Sequence, residues 1–182
     1  MSRVGVELIL YLMDEAFEGN YEHSLLANLR NVGPPDWLWR PPDGGRSIRD
    51  IVAHVGDCKY MYEDYAFGAG AMQWDDPLLA EAWRGDDAET AAPPFLDWLR
   101  EGHRRLRASF AALDDAELTR PRMTNWGALH ETRWIASVMI EHDLYHAGEI
   151  NHLRALRQGD DRWAWAPTGR AEELRQRAPD AR

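Results

Sequence analysis

The chain carries little sulfur chemistry of its own, because Cys58 is the single cysteine among 182 residues. One cysteine excludes an intramolecular disulfide framework, cysteine-rich zinc ribbons and CxxC redox motifs. The chain also lacks a run of about 20 apolar residues, which argues against a membrane-spanning helix. Basic residues are fewer than acidic ones, and the net charge of −10 argues against nucleic acid as a partner. Any metal site must therefore use histidine and carboxylate ligands, with at most one thiolate.

Two local features resemble a nucleic acid site and a signal peptide. One is a cluster of four basic side chains: His103, Arg104, Arg105 and Arg107. At helical spacing, such a cluster is more typical of a solvated helix face than of a nucleic acid site. The other is the apolar N-terminal segment, in which acidic residues interrupt any signal-peptide core. We therefore expect a cytoplasmic protein.

Hydrophobic periodicity predicts four long helices. They cover residues 4–30, 48–67, about 93–113 and 131–157. Ser47 is the predicted N-cap of the second helix, with Asp50 at the acidic position of a capping box, and Gly159 is the predicted stop of the fourth. No alternating β-branched segment is present. The sequence therefore predicts an all-α four-helix bundle, in which one connection is a long crossover.

The remaining segments complete this prediction. The acidic crossover joins the second and third helices, and residues 77–83 within it are predicted to form a short helix. A short tail with Trp163 and Trp165 is predicted to pack on the bundle. The domain organisation is thus one domain over residues 1–169, followed by a charged C-terminal tail over residues 170–182.

The most informative motif is EHDLYHAGEI, in which His142 and His146 are four residues apart on the predicted fourth helix. Residues four apart lie one turn apart on the same helix face. Apolar residues at helical spacing place both histidines, together with Glu149, on the face that points to the core. Three polar groups there are costly to bury unless something satisfies them. A metal ion would do so, because imidazole and carboxylate are usual metal ligands.

His54, in the middle of the second helix, is the strongest candidate for a third ligand. It is flanked by valines at the edge of the apolar face. A single histidine in such a place is more often a core or boundary residue, so it is the pair of His142 and His146 that favours a metal. Cys58, one turn further along, is also a candidate ligand, although packing as a small hydrophobic residue is the commoner role of a buried cysteine.

Three segments of the chain resemble the DinB/YfiT-like family of metalloenzymes, and the resemblance extends over most of the sequence. They are Trp39–Pro42, Ser47–Val55 and His142–Ile150. In that family, one histidine of the second helix joins an HxxxH pair late in the chain to bind a divalent metal at one end of a four-helix bundle. The resemblance implies that His54, His142 and His146 bind a divalent metal. Histidine-rich sites accept zinc, nickel, iron or copper, and zinc and nickel are the first candidates.

Glu149 departs from the family pattern, because many relatives carry glutamine at this position. A carboxylate here could orient one of the histidines, or act as a catalytic base that accepts a proton from a metal-bound water. It could equally be a carboxylate at the rim of the cavity that binds solvent.

Three histidine ligands leave at least one coordination position open, which allows two enzymatic chemistries and leaves a third, non-enzymatic role open. Characterised relatives include S-transferases that use mycothiol or bacillithiol, so the first expectation is transfer of a small-molecule thiol to an electrophilic substrate. The second is hydrolysis by a metal-bound water, with Glu149 as the base. The third is a metal that only stabilises an interaction or stress-response protein. Arg46, Trp126 and Tyr145 are candidates for the wall of a thiol pocket, and a homodimer is expected from the nine tryptophans and from the family.

Overall fold

The structure is a computed structural model that describes residues 2–79 and 92–159. Its elements in chain order are α1 (Val4–Asp14), a π-helical turn (Glu15–Gly19), α2 (Leu25–Asn28), α3 (Pro34–Trp37), α4 (Ile48–Phe67), α5 (Ala92–Ala111), a 3-10 turn (Asp115–Thr119), β1 (Pro121–Met123), β2 (Leu129–Glu131) and α6 (Thr132–Gln158). Helix α4 packs against α5 and α6, and α1 also packs against both. The prediction of an all-α fold is confirmed.

Helix α4 begins where its capping residues predict. The Ser47 hydroxyl accepts a hydrogen bond from the Asp50 backbone N–H at 3.2 Å, and the Asp50 carboxylate accepts one from the Ser47 N–H at 2.7 Å. The predicted range 48–67 is confirmed. Helix α6 ends at Gly159, whose φ of +77° is a left-handed conformation that glycine adopts without strain. The predicted fourth helix differs from α6 by one residue at each end.

The predicted first helix is wrong beyond Gly19. There α1 widens into the π turn and the chain turns at Asn20, whose Oδ1 accepts hydrogen bonds from two backbone N–H groups of the next turn. Ser24 then caps the short α2. Glycine and asparagine explain the break, because glycine is entropically costly in a helix and the asparagine side chain competes for backbone hydrogen bonds. The apolar residues beyond the break still face the core, so their spacing resembles that of one helix.

A small antiparallel hairpin precedes α6 and is absent from the sequence-based prediction. Its strands have three residues each, which is too short for alternation to be recognised. Arg122 of β1 donates a hydrogen bond to the carbonyl of Ala66 at 3.1 Å and so attaches the hairpin to the end of α4. Trp126 lies in its connecting loop beside Gly127, which has a φ of +82°.

Two glycines allow α4 and α5 to approach closely. The ring of Trp98 lies against Gly56, where an added Cβ would come within 2.2 Å of two ring atoms. The ring of Tyr60 lies against Gly102 in the same manner, and the Tyr60 hydroxyl donates to the Trp98 carbonyl at 3.1 Å. The side chains of one helix thus fill spaces left by missing side chains on the other.

A buried ion pair joins α4 to α6 inside this core. The Lys59 ammonium donates to both carboxylate oxygens of Asp143 at 2.7 Å, and the two side chains are 1% and 3% exposed. The aromatic ring of Phe17, from the π turn, lies 5.0 Å from the Lys59 ammonium. The π turn, α4 and α6 therefore meet at this ion pair, and its Asp143 is the residue that follows His142.

Some predictions fall on residues that lie outside the described part of the chain. These are most of the short helix predicted at 77–83, of which residues 77–79 form a turn, and the packing of Trp163 and Trp165. The domain boundary at residue 169 and the charged tail over 170–182 also lie outside it. Among the described helices, none combines the length and apolar character needed to cross a membrane.

Candidate metal centre

Three histidines from two helices converge on one point. His54 comes from α4, and His142 and His146 come from successive turns of α6. The Nε2 atom of His142 lies 3.1 Å from Nε2 of His54 and 3.2 Å from Nε2 of His146. The candidate ligand atoms of all three lie within 4.8 Å of one another. The structure thus brings together all three histidines named from the sequence.

The spacing of these nitrogens fits a single metal ion. A tetrahedral ion bound about 2.0–2.1 Å from each imidazole nitrogen holds the nitrogens about 3.3–3.4 Å apart. The two observed Nε2–Nε2 distances, 3.1 and 3.2 Å, are close to that value. The three imidazoles can therefore hold a metal ion.

Glu149 and Arg46 fix the orientation of one of the rings. The Nδ1 atom of His146 donates a hydrogen bond to the Glu149 carboxylate at 2.7 Å, which leaves the Nε2 lone pair directed to the shared point. The Nη2 atom of Arg46, from the loop before α4, donates to both Glu149 oxygens at 2.9 Å. A carboxylate that binds the outer nitrogen of a histidine is the usual support of a metal ligand.

Burial keeps the three rings neutral. Desolvation lowers the pKa of His142 to about 3, and the neighbouring His146 and His54 add to the effect. The pKa of His54 is also lowered from 6.5, again mainly by burial. The pKa of His146 is lowered as well, although its hydrogen bond to Glu149 acts in the opposite direction. Near pH 7 the three imidazoles are in the neutral form that binds metals.

Comparison with known protein families agrees with this arrangement. A profile of the DinB superfamily matches residues 17–150, well over half of the chain. The chain belongs to the DinB superfamily. The matched region contains His54, His142 and His146. A search of curated proteins finds no match to the chain.

In this DinB-superfamily chain Cys58 packs beside the histidines. Its Sγ lies 3.8 Å from Nδ1 and 4.0 Å from Nε2 of His54. Burial raises the pKa of the Cys58 thiol to about 12, so the sulfur is protonated near pH 7. A protonated thiol is a poor metal ligand and a poor nucleophile. These facts agree with the role of a small hydrophobic residue.

The three residues named for a pocket wall lie in different places. Arg46 contacts Glu149. Tyr145 is 69% exposed, and its ring centroid lies 5.0 Å from that of His146. Trp126 instead contacts Tyr62, which lies two turns along α4 from His54. Arg46 and Tyr145 therefore lie next to the three histidines, whereas Trp126 lies against a residue two turns of α4 away from His54.

The basic cluster around His103 is not part of the site. Arg104 and Arg105 form ion pairs with Glu101, and Arg107 forms one with Asp14. His103 itself is buried, and its ring stacks on Phe17 at 3.8 Å. The arginines form a solvated face with local ion pairs, as the sequence favours.

Sequence reasoning missed the buried pair of Lys59 and Asp143 next to the site. Lys59 follows Val52 and Val55 at spacings of seven and four, so it lies on the apolar face of α4. Asp143 lies seven residues before Ile150 on the apolar face of α6. Opposite charges on two core faces were a usable signal, because buried charges need partners.

Proposed function

We propose that this protein is a metal-dependent thiol S-transferase whose metal is bound by His54, His142 and His146. The observation that carries the proposal is the convergence of three neutral imidazole nitrogens, 3.1 and 3.2 Å apart, with one ring oriented by a carboxylate. Three protein ligands leave at least one position for an exogenous ligand, which is the pattern of catalytic rather than structural sites. Zinc and nickel are the preferred candidates, because an all-imidazole donor set suits both ions.

The nucleophile in such a reaction comes from outside the protein. A bound divalent ion supplies Lewis acidity, which favours the thiolate form of a thiol at neutral pH. Cys58 is protonated and does not compete for this role. We therefore propose a small-molecule thiol, of the mycothiol or bacillithiol type, as one substrate and an electrophile as the other. The thiol proton leaves to solvent, the sulfur electron pair forms the new S–C bond, and the leaving group departs with the electron pair of its broken bond.

Arg46 supports this proposal from the rim of the site. Its side chain is 40% exposed, and within the described residues only its Nη2 atom has a hydrogen-bond partner. The remaining guanidinium donors are available to a carboxylate of the thiol or of the electrophile. Tyr145, exposed beside His146, offers an adjoining aromatic surface.

The contacts of Glu149 favour thiol transfer over hydrolysis with this residue as the base. Both Glu149 oxygens accept from Arg46, and one also accepts from His146. These contacts engage the carboxylate with Arg46 and with the outer nitrogen of His146, which is the arrangement of a residue that orients a metal ligand. We therefore propose that Glu149 positions His146 and does not itself accept the substrate proton.

The decisive experiment measures metal content of untagged protein by elemental mass spectrometry. We expect close to one equivalent of zinc or nickel in the wild type, and its loss in His54→Ala and His142→Ala. The matched control is His152→Ala, which removes an exposed histidine from the same helix and should leave the metal in place. Wild-type protein that retains no metal after incubation with zinc or nickel and desalting would overturn the proposal.

Activity assays then separate the chemistries. Thiol transfer predicts loss of mycothiol or bacillithiol in the presence of an electrophile such as monobromobimane, faster than without enzyme and absent in His142→Ala. Turnover of esters or amides that needs no thiol would instead support the hydrolase. A metal whose removal lowers stability, in a protein without either activity, would indicate a structural role.

A further inference from the structure

A cavity lies between the end of α1 and the outward face of α5. Its volume is about 460 Å³, within the range of small-molecule sites. The π turn contributes Phe17, Glu18 and Gly19 to one wall, and α5 contributes the opposite wall. None of the metal-centre residues lines this cavity. π-helical turns are rare and occur often at functional sites, because they displace side chains from the regular helical positions.

The charged groups of the cavity are almost neutralised by one another. Four carboxylates and three guanidinium groups line it. The three ion pairs are Asp97–Arg100, Glu101–Arg104 and Asp14–Arg107. The fourth carboxylate, of the exposed Glu18, has no ion pair or hydrogen bond within residues 2–79 and 92–159. Glu18 is therefore the one carboxylate of this lining without a cationic partner among the described residues.

His103 adds no positive charge to balance it. The imidazole forms part of the cavity floor, stacked on Phe17 and with its Nε2 atom 3.9 Å from Asp14. Burial, assisted by the nearby charges of Lys59 and Arg107, lowers the pKa of His103 to about 2. Its Nδ1 atom is buried and has no hydrogen-bond partner in the described part of the chain. The floor of the cavity is thus uncharged near pH 7.

The C-terminal end of α1 and its π turn also favours a positive charge in the cavity. The helix and its π turn end at Gly19, in the wall of the cavity. The carbonyl end of a helix carries a partial negative charge, which favours a nearby cation. The lining surface is mainly apolar, so the cavity combines one site for a positive charge with space for a hydrocarbon group.

We propose that this cavity binds a small organic cation, a protonated primary amine with an apolar body, whose ammonium group binds Glu18 at the end of the π turn. The ammonium group donates to the Glu18 carboxylate, and the hydrocarbon body lies over the floor formed by Phe17 and His103. The site is separate from the metal centre and needs no metal.

Isothermal titration calorimetry with n-butylamine tests this proposal at pH 7, where the amine is protonated. Butanol and butyrate are the matched neutral and anionic probes of similar size. We expect saturable binding of butylamine, about fivefold weaker binding of butanol, which lacks the charge, and still weaker binding of butyrate, which Glu18 repels. Raising the salt concentration should weaken the binding of butylamine, because the charge of Glu18 is exposed to screening.

Variants locate the binding. Glu18→Gln should weaken butylamine binding about fivefold, as expected for an exposed ion pair. Glu18→Lys should abolish it and raise the relative affinity for butyrate. Glu7→Gln, which removes another exposed acidic residue from the same helix, is the matched control and should bind as the wild type does. His142→Ala should also bind normally, which excludes coordination of the amine at the metal centre.

Three results would overturn the proposal. One is the absence of saturable butylamine binding at millimolar concentration in correctly folded protein. The second is equal affinity for butylamine, butanol and butyrate, which would show that charge is not recognised. The third is unchanged binding in Glu18→Lys, which would place the amine elsewhere.

Discussion

Glu149→Gln is the most informative single change at the metal centre. The substitution keeps the size of the side chain and an oxygen acceptor for Nδ1 of His146, but removes the negative charge. A hydrogen bond to a charged partner contributes about 1.5–3 kcal/mol, against about 0.5–1.5 kcal/mol for a neutral pair. The difference of about 1–1.5 kcal/mol corresponds to about a tenfold loss of metal affinity. This agrees with the 10–100-fold losses seen when residues that orient metal ligands are changed.

The assay is competition for zinc with a chromophoric chelator at fixed pH and salt. Glu141→Gln is the matched control, because Glu141 lies on the same helix, is exposed and bonds only to Ser137 among the described residues. Equal affinities of Glu149→Gln, Glu141→Gln and the wild type would refute the assignment of Glu149 as the residue that orients His146. Unchanged affinity with complete loss of turnover would show instead that Glu149 acts as a base.

Three further predictions concern stability. His103 is held neutral in the folded state, where its pKa is about 2, whereas in the unfolded chain it binds a proton below about pH 6.5. The folded state therefore loses stability as the pH falls, by about 2 kcal/mol at pH 5. Thermal unfolding of His103→Gln should depend less steeply on pH between 6.5 and 5. A wild-type slope in that variant would contradict the assignment. Gly56→Ala should destabilise the protein by up to about 3 kcal/mol in urea unfolding, because the new methyl group meets the rigid ring of Trp98. The gain in helix propensity offsets only about 1 kcal/mol of this cost. An unchanged urea midpoint would show that α4 and α5 move apart to accommodate the methyl group. Ser47→Ala should cost about 1 kcal/mol by removing the cap of α4, with the metal affinity of the folded protein retained, and a stability equal to the wild type would show that the Asp50 half of the capping box suffices.

Helices α4, α5 and α6 and the histidine pair of α6 could be predicted because their signals are local. The capping box at Ser47, the stop at Gly159 and the i, i+4 pair on α6 each lie within a few residues of sequence. The π turn could not be predicted in this way, because the apolar spacing continues beyond Gly19 and only the competition between backbone and side-chain hydrogen bonds ends the helix. Three-residue strands are likewise too short to leave a pattern.

The partners of the site residues could not be predicted, because they are distant in sequence. Arg46 and Glu149 are 103 residues apart, and Lys59 and Asp143 are 84 residues apart. Helical spacing places Glu149 on the same helix face as His142 and His146, and orienting a histidine is one of the roles that it allows. Which of its open roles applies depends on Arg46, and only the packing of the loop before α4 against α6 brings that residue to it.

The buried pair of Lys59 and Asp143 bears on why the two histidines of α6 point to His54. Asp143 follows His142 and lies about 100° further around the helix, so a contact that fixes Asp143 also fixes the rotation of α6. A buried ion pair adds little stability compared with apolar residues of similar volume, although removal of one partner alone costs about 3–5 kcal/mol. We therefore infer that the pair serves the geometry of the site more than the stability of the fold.

The double variant Lys59→Met with Asp143→Leu separates the two roles, because it removes both charges and leaves the net charge near the metal unchanged. We expect a free energy of unfolding equal to or above that of the wild type, since the buried charges no longer need to be desolvated. Metal affinity in the same variant should fall, because two apolar side chains permit small rotations of α6 that a bidentate ion pair does not. The single variant Asp143→Leu is the control and should unfold at much lower urea, because it leaves the Lys59 ammonium buried without its carboxylate. A double variant that binds zinc as tightly as the wild type would show that packing alone sets the rotation of α6, and that the ion pair is not needed to direct His142 and His146.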